Sequence, residues 1–100
     1  TRFFVIGGAM PRPTKKDKTS IMFSVKDKVG ALHDILVPFK KYSINLTKIE
    51  SRPSKRKSWE YYFFVDMIGH YENQDVKKAL TELEKHCSFL KILGSYPVGL

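Results

Sequence analysis

The sequence predicts an α+β sandwich, a four-stranded antiparallel sheet with two helices on one face. Two observations predict it. Two stretches repeat apolar residues at helical spacing and four shorter stretches read as strands. The two middle strands are joined by a short polar, basic segment instead of a helix. The length of 100 residues suits one domain, and 42% hydrophobic residues suffice for a core.

Ile21, Phe23 and Val25 alternate with Ser20, Ser24 and Lys26, the period of a half-buried strand, with Met22 the exception on the outer set. Asp27 can cap the helix that follows, because its carboxylate can accept from the free amides of a first turn. Leu32, Ile35, Leu36 and Phe39 then form one helical stripe. Pro38 lies inside that stripe and predicts a bend or an early end. Ile44 to Ile49 reads as a second strand closed by Arg52-Pro53, and its inward parity falters between Leu46 and Ile49, which predicts a bulge or bend.

Ser54 to Ser58 reads as a hairpin-type connection. Trp59 to Ile68 is the strongest strand, with aromatics on both faces. Asn73 or Asp75 can cap a second helix, whose stripe is Val76, Leu80, Leu83 and Cys87. Phe89 to Leu93 forms the last strand, which Gly94 is expected to end. The order β-α-β-β-α-β is the ferredoxin-like arrangement. Ahead of it, residues 1–6 form a short apolar run that reads as the last strand of something larger, and residues 7–18 a breaker-rich linker. Residues 19–97 make the packed domain and 98–100 a tail. The chain is thus expected to be a fragment or a processed product.

The net charge of +8 raises nucleic acid and acidic membranes as partners. No apolar run approaches the roughly 18 residues of a membrane helix, and no secretory signal opens the sequence. The single cysteine excludes an internal disulfide and suits a reducing, cytoplasmic setting. His33, His70 and His86 lack metal-ligand spacing and read as surface or helix-edge residues. Cys87 reads as a small core residue. No phosphate loop or nucleophile elbow is present, so neither a metal nor a cofactor is expected.

This topology leaves one sheet face uncovered, and strand 59–68 would expose an aromatic set there. RNA-recognition domains share the topology and stack bases on such rings. However, Lys57-Ser58-Trp59-Glu60-Tyr61-Tyr62-Phe63 lacks the small residues of their signature, and Glu60 sets a negative charge beside the phosphate path. Single-stranded nucleic-acid binding is therefore the second reading. Lys28-Val29-Gly30-Ala31-Leu32 is a strand-to-helix turn whose glycine, taken alone, reads first as a tight turn needing a small residue and second as a point of close approach to the first-turn amides.

Gly30-Ala31-Leu32, Asn45-Leu46-Thr47 with Glu50-Ser51-Arg52-Pro53, and Leu93-Gly94-Ser95-Tyr96-Pro97 together resemble the ACT domain of prephenate dehydratases, a phenylalanine-sensing regulatory module. Regulatory domains of aromatic amino-acid hydroxylases look similar over the same segment, but the Leu-Gly-Ser-Tyr-Pro ending favours the dehydratase. The resemblance covers Thr19 to Pro97. It implies that two copies pair about a twofold axis, as a dimer or larger homo-oligomer. L-Phenylalanine would bind at the seam, between the Gly30 loop of one copy and the strand near Asn45 of the other. Val29, Gly30, Ala31, Leu32, Asn45, Leu46, Glu50, Ser51, Arg52 and Pro53 are the implied binding residues. Amides around Ala31 and Leu32 would hold the carboxylate, Asn45 would accept the ammonium, and Glu50 to Pro53 would shape and brace the site. The implied outcome is feedback inhibition of prephenate decarboxylation and dehydration to phenylpyruvate. Val29 stands where the family commonly has proline. Thr1-Arg2-Phe3 is similar to a motif near the end of the dehydratase catalytic domain, which would make Thr1 a catalytic remnant, inactive alone.

Overall fold

The computed structural model describes residues 4–5, 16–26, 29–54 and 59–97, with side chains from residue 16 onward. The elements are β1 (Phe4–Val5), β2 (Asp17–Lys26), α1 (Ala31–Lys41), β3 (Leu46–Pro53), β4 (Glu60–Ile68), α2 (Gln74–Glu84) and β5 (Phe89–Pro97). The sheet order is β1-β5-β2-β4-β3. The β5-β2-β4-β3 portion is antiparallel throughout, the ferredoxin-like arrangement expected. To it β1 adds two residues parallel to β5, Phe4 opposite Lys91 and Val5 opposite Ile92. Thr1, Asp27, the 55–58 connection and the 98–100 tail lie outside the described residues.

The alternation in β2 is the origin of the core. Ile21, Phe23 and Val25 turn one way and are at most 3% exposed. Val65 and Met67 of β4 join them, with Leu90 and Ile92 of β5. The helices close over this face with Ile35 and Phe39 from α1 and Val76, Leu80 and Leu83 from α2. Phe23 stacks on Phe63 across the β2–β4 ladder, centroids 5.5 Å apart. Cys87 lies just beyond α2, half-buried against the core, with its thiol donating to the Leu83 carbonyl at 3.1 Å.

Three local expectations are corrected. Pro38 does not end α1: its ring is buried, and the helix runs on to Lys41. The stop comes from Ser43 at φ 55, with Ile44 N–H donating to Phe39 O (2.8 Å) and Ser43 N–H to Lys40 O (3.1 Å). That pair of bonds closes the last turn around a left-handed residue and satisfies carbonyls that would otherwise be orphaned. Gly94 does not end β5, because the ladder skips Leu93: Ser20 pairs with Gly94, and Ile21 with Ile92. The strand absorbs one extra residue as a bulge and continues to Pro97. His70 is not a surface residue but 3% exposed, with Nδ1 accepting from Glu72 N–H at 3.1 Å.

The expected irregularity in β3 is present. Leu46 pairs with Met67 and Lys48 with Asp66, so Thr47 is the extra residue. The expected Asn73 cap is present as well, its side chain accepting from Asp75 N–H at 2.9 Å. The C-terminal end of α1 is tied to α2 through Glu82, which accepts from the Tyr42 hydroxyl and from Lys41 at 3.1 Å. These two donors, the tyrosine first, hold the Glu82 carboxyl below its usual range.

A hydroxyl relay fastens the β4–α2 loop. Tyr71 N–H donates to Ser95 Oγ (3.1 Å), Ser95 lies 2.7 Å from Thr19 Oγ1, and Thr19 donates to Gly69 O (2.6 Å). Because the one Thr19 hydroxyl proton goes to Gly69, Ser95 must donate to Thr19. Thr19→Val strands buried polar groups at both ends and is expected to cost about 1–3 kcal/mol, read as a lower urea midpoint at unchanged m-value. An unmoved midpoint contradicts the relay.

The face away from the helices is not bare aromatic surface. Arg52 places its guanidinium carbon 5.5 Å from the centroid of Phe64, and Lys91 its ammonium 5.4 Å from that of Phe89. Tyr62 meets Phe89 at 5.9 Å. Long cationic side chains lie over rings that would otherwise meet water.

Candidate functional site

The site begins with Gly30. It caps α1 at φ +80, a left-handed conformation that L side chains adopt at a cost. Having no side chain, it offers no capping group, so the first-turn amides keep their donors for something else. The helix dipole adds partial positive charge at the same point.

Strand β3 brings a second wall. Its ladder sets Ser51 opposite Phe63 and Pro53 opposite Tyr61. Because successive side chains in a strand alternate, Ser51, Tyr61 and Phe63 share the helix-facing side. Together with α1 they enclose a cleft of about 320 Å³, lined by Val25, Lys26, Gly30, Ala31, Leu32, His33, Ser51, Tyr61 and Phe63. Ring and aliphatic groups make its floor, and helix-start amides, the Ser51 and Tyr61 hydroxyls, Lys26 and His33 supply its polar groups. Such a cleft suits a small molecule with a carboxylate at one end and an apolar group at the other.

The structure brings together only part of the predicted set. Gly30, Ala31, Leu32 and Ser51 line the cleft. Val29 is fully exposed on the turn beside it. Pro53 is exposed at the end of β3. Asn45 and Leu46 lie at the other end of β3, where Asn45 O accepts from Ile68 N–H at 2.9 Å and Leu46 faces Met67. At about 3.3 Å per residue they are roughly 20 Å from Ser51. Glu50 and Arg52 project from the opposite face of the sheet, into a second cleft with Lys48, Phe64 and Asp66.

Val25, Lys26, His33, Tyr61 and Phe63 complete the cleft and were not among the binding residues expected from the sequence. The signal for two of them was available: Tyr61, Phe63, Val65 and Met67 share one parity of a strand whose inner face is set by Val65 and Met67. His33 stands at the mouth, its side chain 80% exposed and Nδ1 3.4 Å from the Asp34 carboxylate. Cys87 does not line the cleft, and burial pushes its thiol from 9.0 up to about 12, with Glu84 adding to the effect. A thiol held protonated is a poor nucleophile.

Comparison with known proteins fits this geometry. A protein-family model described as "ACT domain" matches residues 19–85. A bifunctional chorismate mutase/prephenate dehydratase from Aquifex aeolicus is 59% identical over 100 residues, all of this chain but 28% of that protein. Among solved structures, a prephenate dehydratase from Arthrobacter aurescens in complex with L-Phe shares 36% identity and a TM-score of 0.84, over 92% of this chain and 30% of that one. GqqA, described as a quorum-quenching acylase, gives 29% and 0.87, over 94% of this chain and 48% of that one. The chain therefore spans less than a third of the length of the Aquifex relative. No described helix is long and apolar enough to cross a membrane. With its βαββαβ core and residues 19–85 matched, the chain belongs to the ACT domain family.

Proposed function

We propose that this chain is the L-phenylalanine-binding regulatory domain of a cytoplasmic prephenate dehydratase, and that it lowers the enzyme's output when the amino acid accumulates. The observation that carries the reading is the cleft itself, where uncapped amides of α1 face an aromatic floor built by Phe63 and Tyr61. The carboxylate of L-phenylalanine suits those amides, and its ring suits that floor. The Arthrobacter dehydratase, similar in fold and sequence, was solved with L-Phe.

A single copy supplies no group for the ligand's ammonium from Asn45, which is roughly 20 Å of strand away from Ser51. A second copy pairing along the open edge of β3 supplies it. That side exposes apolar groups in one chain, Leu32 at 51% and Ile49 at 46%, as a surface made to be covered does. Binding at such a seam favours one subunit arrangement by the difference in affinity between arrangements, which is how a ligand regulates at a distance. The ligand needs no metal or cofactor. In the longer protein, residues 1–6, including Thr1, would end the catalytic part, and the linker read over residues 7–18 would stop short of Asp17, where β2 already begins.

The nucleic-acid reading is weaker than the charge suggests. Phe64 and Phe89 are already occupied by Arg52 and Lys91, so bases would have to displace both cations to stack. Calorimetric titration decides between the two. Saturable heat with L-phenylalanine and at least about tenfold weaker binding of L-alanine, a difference of about 1.4 kcal/mol, is the expected result. No heat with L-phenylalanine, alongside binding of single-stranded RNA at physiological salt, overturns it.

A further inference from the structure

His33 lines the cleft from the first turn of α1, and the reading above gives it no task. It follows Ala31 and Leu32, whose amides take the ligand's carboxylate in that reading. Its Nδ1 lies 3.4 Å from Asp34 Oδ1, with the two side chains 80% and 41% exposed. An ionised carboxylate only accepts, so this contact is a hydrogen bond when Nδ1 carries a proton. The pairing thus keeps a proton on Nδ1. It leaves Nε2, which has no partner among the described residues, as the nitrogen that gains or loses one.

In the neutral ring Nε2 is an acceptor and offers a carboxylate nothing. In the protonated ring it is a charged donor, and charged donors bond carboxylates more strongly than neutral ones. The other titratable or charged groups at the cleft, among the described residues, are Lys26 at the end of β2, Tyr61 on β4 and Asp34 beside the ring. Strand β3 lines it with Ser51, which carries no charge. Lys26 pairs with Glu60 in the ladder, so an acid stands on the same side of the sheet as that lysine. Of these residue types only histidine ordinarily changes charge between about pH 5 and 8. We infer that His33 is a ligand-binding residue whose protonated ring completes the carboxylate subsite, so that a proton and the amino acid bind together. This rests on the phenylalanine-binding reading of the cleft and deepens it. By linkage, affinity is highest where the ring is protonated and falls as pH rises through its titration. The bound ligand in turn raises the pH at which the ring releases its proton. Asp34 assists from the other side, because its carboxylate favours the charged ring.

The experiment measures L-phenylalanine affinity at about pH 5.5 and about pH 8 in the parent, His33→Gln, Asp34→Asn and His86→Gln. It also follows the His33 Hε1 resonance against pH, with and without ligand. His33 is exposed, so His33→Gln leaves the packing intact. His86 is an exposed control beyond α2 and outside the cleft lining. The buried His70 is present in every variant, so any pH dependence it brings is common to all. The expected parent result is binding about two- to five-fold tighter at the lower pH, the scale of an exposed ion pair. The His33 titration midpoint should then rise by about 0.3 to 0.7 of a pH unit in saturating ligand, since the two effects are one coupling. His86→Gln should keep the parent's ratio of affinities, and His33→Gln should bring it to about one. Asp34→Asn should move the transition to lower pH, because the anion that favours the charged ring is gone. A parent ratio of one, an equal ratio in His33→Gln, or an unmoved His33 midpoint overturns the inference. If the parent binds no L-phenylalanine at either pH, the functional reading fails. 3-Phenylpropionate, which has the ring and carboxylate without the ammonium, then decides the His33 contact: a raised midpoint upholds it, and an unmoved one overturns it.

Discussion

Gly69→Ala is expected to be the most damaging single-methyl addition among the described glycines. Gly69 adopts φ +121, and a Cβ placed there comes within 2.8 Å of Val76 Cγ2. Neither side can yield easily. Val76 is 1% exposed in the first turn of α2. The glycine's own N–H donates to Asp17 O at 2.7 Å, and its carbonyl accepts from Thr19 at 2.6 Å. Backbone strain of about 1–3 kcal/mol and overpacking of similar size should combine to about 2–6 kcal/mol. Gly94→Ala is the internal control, because nothing lies within 4 Å of its added Cβ and its φ is not positive. Urea unfolding of the two variants reads the difference directly. Equal midpoints would mean that the β4–α2 loop is not held where the relay places it.

The second large effect falls on binding. Gly30→Val places a β-branched residue at φ +80, which costs about 1–3 kcal/mol of backbone strain although its Cβ meets no atom within 4 Å. The open space that admits the side chain is the approach to the first-turn amides. L-Phenylalanine affinity should therefore fall by at least about tenfold, an effect of about 1.4 kcal/mol or more at the site. Gly30→Ala separates the two causes: it carries the positive-φ cost of about 1–2 kcal/mol without the branch that covers the amides. Retained binding in Gly30→Val, in protein shown to be folded, counts against the cleft as the ligand site.

The order of the elements was legible because burial imposes period on sequence. Ile21, Phe23 and Val25, and Ile35, Leu36 and Phe39 of the helical stripe, face one core and so repeat at the spacing of their elements, while Leu32 of that stripe is exposed at the cleft. The Thr47 bulge was legible for the same reason, since an extra residue breaks parity between Leu46 and Ile49. Glycine and proline were less reliable guides. Gly94 signalled an end but sits in a continuing strand, because the bulge at Leu93 lets β5 realign with β2. Pro38 signalled a bend or an early end, yet the helix runs past its buried ring to Lys41, and Ser43 supplies the stop. His70 carries no pattern that foretells burial, which arises from the loop fastened at Thr19 and Ser95.

The candidate site was legible as a set of motifs and not as a surface. Motifs run along the chain, whereas a cleft collects one face of each element. Ser51 joins Gly30, Ala31 and Leu32, while Glu50 and Arg52 turn away. Phe63 and Tyr61 share the inner parity of β4, but what they meet, Ser51 and Pro53 in β3 and Phe23 and Val25 in β2, is set by pairings between residues distant in sequence.

The central claim is that two copies complete one phenylalanine site along β3. Isotope-filtered nuclear Overhauser spectroscopy on the L-phenylalanine complex tests it most directly, in dimers mixed from two labelled preparations. One copy carries labelled alanine methyls and the other labelled leucine methyls. The expected result is contact from one bound ligand both to the Ala31 methyl of the first copy, in the cleft beside Ser51, and to the Leu46 methyl of the second, at the other end of β3 from Ser51. Contact to Ala31 alone, with the protein monomeric at saturating ligand, would contradict it.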